Sequence, residues 1–288
     1  MRNRLWLNLL MLLLAGILIL VVIYEPGKQP EPVEPKLTSL RADDISHILI
    51  SRTTGADIEL AKQNGRWQML KPYHLPANDF RVRSLLRLSE TESKSDHDLG
   101  KLNPATYGLD KPRASVTFNH KTKIIFGKTE PLQHHRYVQI GNRLHTIFDT
   151  FYYQATGSVS MFLDHSLLPP DAKITRLVLP DLQLQLENGQ WQRTPPHAEL
   201  SADASVELIN NWRHAQAQEL RTGGDTKTKA GIEIYLQDRS EPLRFHLQHR
   251  EDEYLLTRLD NGLQYVFAED VGEQLLTLPK ADPAEEKK

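Results

Sequence analysis

The sequence reads as an α+β protein: one transmembrane helix at the amino terminus, followed by two tandem modules of mainly antiparallel sheet with one main helix each. Three observations carry this. An uncharged apolar run fills residues 5–24, a set of residues recurs 124 positions apart, and in each copy strand patterns come first, then a helical pattern, then strands again. Strands grouped in this way favour an antiparallel sheet over alternating β/α units. The 288 residues then divide into a cytoplasmic tail and anchor over 1–24, a Pro-rich linker over 25–44, a first module over 45–172, a second over 173–279 and a disordered tail over 280–288.

The run LWLNLLMLLLAGILILVVIY over residues 5–24 has Asn8 as its one strongly polar side chain. At 1.5 Å per residue about 20 residues span the ~30 Å hydrocarbon core of a bilayer. A cleaved signal peptide starts in the same way, but its apolar core stops sooner and meets a small-x-small site. Here the run continues to Tyr24-Glu25-Pro26, which reads as an uncleaved signal anchor with Trp6 and Tyr24 at the headgroup levels. Arg2 and Arg4 make a short basic tail that stays inside, and long following domains translocate largely regardless of charge. The expected location is the bacterial inner membrane, single-pass, with the bulk of the chain in the periplasm.

Four prolines among residues 25–35 hold the linker near polyproline II, at about 3 Å per residue. Lys and Arg total 35 against 37 Asp and Glu, a net charge of -2, so no global positive field attracts nucleic acid. The chain has no cysteine, which excludes disulfides, thiol catalysis and a lipidated lipoprotein cysteine.

The repeat organises the rest. Asn64-Gly65-Arg66-Trp67-Gln68 reappears as Asn188-Gly189-Gln190-Trp191-Gln192, and the same spacing joins Pro72 to Pro196, Asp79 to Asp203, Val82 to Val206, Leu85 to Ile209 and Leu88 to Trp212. Upstream, residues 45–50 match 174–179 after a five-residue adjustment; downstream, Tyr137 and Phe148 match Tyr254 and Phe267 loosely. Asn-Gly predicts a tight hairpin in each module, since both residues tolerate positive φ. The Trp two residues later is expected to face the core. Asp79 and Asp203 stand before helical patterns over 80–90 and 204–217 and are expected to cap them. Further strands are expected over 114–118, 123–126, 136–140 and 144–148, and again over 232–236, 243–247, 254–259 and 263–267, with short closing helices over 150–155 and 269–276.

No complete catalytic constellation emerges. Asp79 and Asp203 could divide acid and base duties, but a residue present in both copies serves each copy's own fold. Trp67 and Trp191 could stack a sugar, yet their place after a hairpin makes them core anchors. His134-His135 and His246-x-x-His249 do not chelate on a strand, where such spacings point to opposite faces. Gly-x-Ser-x-Gly and phosphate-loop frames are missing. No catalytic, cofactor or metal residue is assigned. Features not duplicated are the candidate interaction surface: Tyr107, Asp110, His134, His135, Arg136 and Tyr137.

Asn64-Gly65-x-Trp67, Asp79, Tyr107-Gly108-Leu109-Asp110-Lys111-Pro112, Ile125-Phe126-Gly127-Lys128 and Tyr137-Val138 together resemble the bacterial family called domain of unknown function 4340, over most of residues 45–172. The resemblance implies one amino-terminal membrane helix and, for some members, company with ABC transporter components similar to those of gliding-motility systems. It carries no catalytic residues. The second module keeps Asn-Gly-x-Trp but has only Thr222-Gly223-Gly224-Asp225 where the first has its Tyr-Gly-Leu-Asp motif. The expected role is a binding, scaffold or transporter-accessory component. Its partners would be the bilayer, through residues 5–24, and a membrane or envelope protein, ABC transporter components among the candidates. The rival readings are an envelope hydrolase or metal-assisted enzyme using the groove between modules, and a lipid or glycan binding module.

Overall fold

A computed structural model describes residues 2–24, 35–169, 171–196 and 202–279. Linker residues 25–34 and the tail from residue 280 onward lie outside the described residues. The chain forms two units, Met1–Pro35 and Lys36–Lys288. In the first, α1 (Arg2–Tyr24) is one uninterrupted 23-residue helix, with side chains described at residues 6–22 and 24. Among the described residues no helix is long and apolar enough to cross a membrane. The predicted span of residues 5–24 therefore rests on the sequence.

The second unit opens with a correction. Residues 36–44, read as linker, are folded onto the body: Leu37 is buried, Lys36 bridges to Glu92, and Ala42–Asp44 forms a 3-10 turn. Apolar Leu37, Leu40 and Ala42 supply the reason, since all three pack on the core.

The first half contains β1 (His47–Arg52), β2 (Ile58–Gln63), β3 (Arg66–Lys71), β4 (Leu75–Pro76), α2 (Asp79–Leu86), β5 (Ser95–Asp98), β6 (Ala114–Phe118), β7 (Thr122–Thr129), β8 (Arg136–Ile140), β9 (Arg143–Ile147) and α3 (Tyr152–Thr156). The second contains β10 (Ile174–Val178), β11 (Gln183–Glu187), β12 (Gln190–Thr194), α4 (Ala202–His214), β13 (Glu219–Arg221), β14 (Ile232–Leu236), β15 (Leu243–Arg250), β16 (Glu253–Arg258), β17 (Gln264–Ala268) and α5 (Glu269–Leu276). One sheet runs β4-β3-β2-β1-β6-β7-β8-β9-β5 and the other β12-β11-β10-β14-β15-β16-β17-β13, every pairing antiparallel. Without β4, the two strand orders are the same.

The Asn-Gly turns form as expected: Asn64 and Gly65 have φ of 49° and 79°, Asn188 and Gly189 of 50° and 80°. Trp67 is buried at the turn's exit, but Trp191 is only half-buried. β12 ends its sheet, whereas β3 is covered by β4.

The spacing of the repeat changes partway along. Leu60 faces Met69 and Glu59 faces Lys71, so Leu70 is an extra residue in β3, a β-bulge; in the second half Leu184 faces Arg193 and Gln183 faces Thr194 without interruption. Beyond this point the counterparts lie 123 apart. Val82, Leu85, Leu86 and Ser89 match Ser205, Leu208, Ile209 and Trp212, and all eight are buried. The expected pairing of Val82 with Val206 fails, since Val206 is 45% exposed. The caps are corrected with it. Asn78 caps α2, its Oδ1 accepting from Arg81 N at 3.1 Å. Asp79 is the first helical residue, and Asp203 lies inside α4. Both carboxylates stand in a first turn, where the helix dipole favours them.

Tyr137 and Tyr254 are also one position out of step. Arg136 faces Ile147, as Tyr254 faces Phe267, and both reach the helix closing their half: Arg136 lies 3.8 Å over the Tyr152 ring, and Tyr254 packs under Gly272. Tyr137 points to the opposite face, as a one-residue slip on a strand requires. Phe148, paired in sequence with buried Phe267, is 53% exposed.

One apolar cluster runs through both halves. The connection between them is hydrogen-bonded to each. Asn78 N donates to Phe162 O at 2.8 Å and Asp164 N to Pro76 O at 3.0 Å, while Leu167 N donates to Ala215 O and Ala217 N to His165 O, both at 2.9 Å. Residues 162–168 thus lie along β4 on one side and lead into β13 on the other, with Leu163 bridged to Ala77 and Ser166 to Gln216.

Candidate functional site

The undoubled motif of the first half forms a clamp over the outer face of its sheet. Asn103 Oδ1 accepts from Ala105 N at 3.1 Å and starts a 3-10 turn over Pro104–Tyr107. Gly108 ends it at φ 69°, and Leu109 N donates to Pro104 O at 3.0 Å. The turn delivers Leu109 into a small apolar layer with Leu99 and Leu144, flanked by Tyr107, Ile125 and Tyr137. Tyr107 and Tyr137 meet edge to face at 5.0 Å. Burial, with Glu130 and Tyr107 nearby, raises the Tyr137 phenol above its ordinary value.

Gly127 lets the clamp close. A Cβ there would collide with the Tyr107 carbonyl and stand 3.2 Å from the Tyr137 carbonyl. Its own carbonyl accepts from Arg136 Nη1 at 2.9 Å, while the guanidinium also holds Asp149 at 3.1 and 2.5 Å. This bidentate pair ties β8 to the segment after β9.

The six predicted surface residues therefore separate. Tyr107 and Tyr137 come together in the clamp; Asp110 and His134 are exposed. Arg136 is buried on Tyr152 and Asp149, and His135 is buried against the Phe148 ring at 4.9 Å, with Glu130 3.8 Å away. These two build the fold rather than a surface. Among the described residues no group of three or more His, Asp or Glu side chains could hold a metal ion.

Sequence reasoning expected a groove between the modules but did not name the residues that line it. A cleft of about 640 Å³ opens between the halves, with Trp67 and Asp79 on one wall, Lys173 and Asp238 on the other, and Asp164 and Asp171 from the connection. Arg66 reaches to 3.9 Å from Asp171, and Asp164 accepts from Ser166 N and Oγ at 2.8 and 2.7 Å. A second recess of about 410 Å³ includes Arg81, His165 and Arg221. Glu253 and Glu219 hold the Arg221 guanidinium above its ordinary value, and Arg221 in turn lowers the Glu253 carboxyl. The sequence signal for the connection was Phe162-Leu163 and Leu167-Leu168 flanking Asp164-His165-Ser166, an apolar-polar-apolar pattern beyond the last residues matched between the two copies.

No curated protein and no solved structure matches the chain. A family described as Domain of unknown function (DUF4340) matches residues 67–233, from β3 of the first sheet into β14 of the second. The match thus runs past the first half, to which the sequence resemblance was confined. With more than half its length covered, and the clamp residues inside the matched stretch, the chain belongs to the DUF4340 family.

Proposed function

We propose that this chain is a single-pass inner-membrane protein with its body on the periplasmic side, acting as a binding or scaffold component. The observation that carries the reading is α1. Its large apolar side chains from Trp6 to Val22 are 49 to 76% exposed, around the whole helix. In water that surface forfeits the hydrophobic term, whereas in lipid it is matched, and the helix satisfies its backbone internally. The uncharged sequence from Leu5 to Tyr24 supports a full crossing.

The body supports work by contact. Its halves share one apolar cluster and a hydrogen-bonded connection, so it presents a stiff surface. The partner would be a membrane or envelope protein, and the family resemblance directs attention to ABC transporter components. Purification of the full chain in mild detergent is expected to recover a membrane partner at fixed stoichiometry; repeated recovery of a lone monomer would overturn the reading.

The cleft favours a second reading, hydrolysis of an envelope polymer, because Asp79, Asp164, Asp171 and Asp238 all line it. Polymer cleavage by the purified chain, abolished by Asp164→Asn, would establish it. A lipid-binding module draws no support from the apolar gap under α5, between Leu247, Tyr254 and Leu275, which has no room for a water molecule.

A further inference from the structure

On α2 and the 3-10 turn that continues it, Phe80, Arg83, Ser84 and Arg87 recur at intervals of three and four and share the side opposite buried Val82, Leu85 and Leu86. Phe80 is 70% exposed. Tyr153 of α3 is 71% exposed, and the two helices are joined where Gln154 Nε2 donates to Ser84 Oγ at 3.1 Å. Arg83 pairs with Asp79 at 3.7 Å. Arg87 has no ion-pair partner among the described residues, while the nearby acids Glu90 and Glu92 are engaged by Lys36 and Lys94. The result is an aromatic and cationic face on a chain whose net charge is -2.

The place of this face matters as much as its chemistry. The body begins at Lys36, and its first residues are seated on the segment that directly follows Arg87: Leu37 N donates to Thr91 O and Thr38 Oγ1 to Ser89 O, both at 2.7 Å. The chain from α1 therefore joins the body next to the α2 face, after only residues 25–35.

We propose that this face rests on the anionic headgroup surface of the bilayer that α1 spans, an inference that depends on the anchor reading above. Arginine guanidinium matches lipid phosphate in a bidentate fork, and exposed aromatic rings favour the headgroup level. Each arginine near an anionic surface changes partition by about fivefold. Docking fixes the body against the membrane and leaves the rest of its surface for the partner.

The test uses the full chain, which has no cysteine to interfere. A single Ser84→Cys variant carries an environment-sensitive fluorophore, and a Gln190→Cys variant in the second half serves as reference. Each is reconstituted in discs of phosphatidylcholine with or without phosphatidylglycerol, with a lipid-borne quencher. Quenching at residue 84 is expected to exceed that at residue 190, to rise with phosphatidylglycerol and to fall in high salt, which needs no further variant. Arg83→Gln and Arg87→Gln, each removing one charge from the face, should each weaken it about fivefold. Equal quenching at the two positions, or indifference to phosphatidylglycerol, overturns the proposal and leaves the anchor intact. Failure to enter the discs at all overturns both. If the arginine variants instead release an acidic co-purifying protein and no quenching is seen, the face is a protein contact and the proposal falls.

Discussion

Lys71 lies opposite Glu59 at the point where β3 carries one residue more than β12, and its ammonium is 2.9 Å from the carboxylate. The hydrogen bond from Lys71, then that from His47 at 3.0 Å, holds the Glu59 carboxyl below its ordinary value. A carboxyl lowered by folding contributes stability that is present above its unfolded value and lost as pH falls through its folded value. Glu59→Gln should therefore melt below the wild type near neutral pH, with the difference shrinking from about pH 4.5 downward. Melting curves across that range check it.

Gly127→Ala should loosen the clamp. The added methyl meets two backbone carbonyls, which cannot swing aside as a side chain can, and overpacking of this kind costs about 1–3 kcal/mol. Gly65→Ala meets no neighbour and carries only the cost of φ at 79°, about 1–2 kcal/mol. Urea unfolding of both variants should rank Gly127→Ala the more harmful.

Trp212 joins the helices of the second half: it is fully buried, and its Nε1 donates to Leu275 O at 2.6 Å. Trp212→Phe keeps one aromatic ring but leaves a cavity where the rest of the indole sat and orphans that carbonyl, the lost hydrogen bond alone costing about 1–3 kcal/mol. Ser89, its counterpart, donates to Leu86 O within its own turn at 2.9 Å, and Ser89→Ala should cost less, about 1 kcal/mol. The same urea measurement separates them.

His145 makes the β5–β9 edge sensitive to acid. Ser93 Oγ donates to Ser95 O at 2.6 Å and so accepts the Nδ1 proton of His145 at 2.9 Å. Burial lowers the imidazole below its ordinary value; Asp96, 3.8 Å away, opposes this, and Arg143 and His97 reinforce it. The folded state thus prefers neutral His145. Stability is complete above the unfolded value near pH 6.5 and declines as pH falls below it. His145→Asn should flatten the melting temperature between about pH 7 and 5.

The sequence carried most of the architecture because its signals were local. Asn-Gly fixed two hairpins, alternation placed the long strands, and buried Leu85 and Leu208 follow a helical period. What escaped depended on single residues or on distant contacts. The bulge at Leu70 shifts the repeat by one position, enough to move burial from Val206 to Ser205. A cap and the residue after it, Asn78 and Asp79, carry the same composition signal, and backbone angles alone separate them. The clamp depends on Gly127 meeting Tyr107 across twenty positions, and the cleft on residues from both halves, which no periodicity announces.

The most direct test of the membrane-anchored reading is to fuse a phosphatase active only in the periplasm to the carboxyl terminus and fractionate cells after an alkaline carbonate wash. Phosphatase activity retained in the washed membrane pellet is the result expected. Activity only from a cytoplasm-active reporter at the same position, or release of the fusion into the carbonate supernatant, would contradict it.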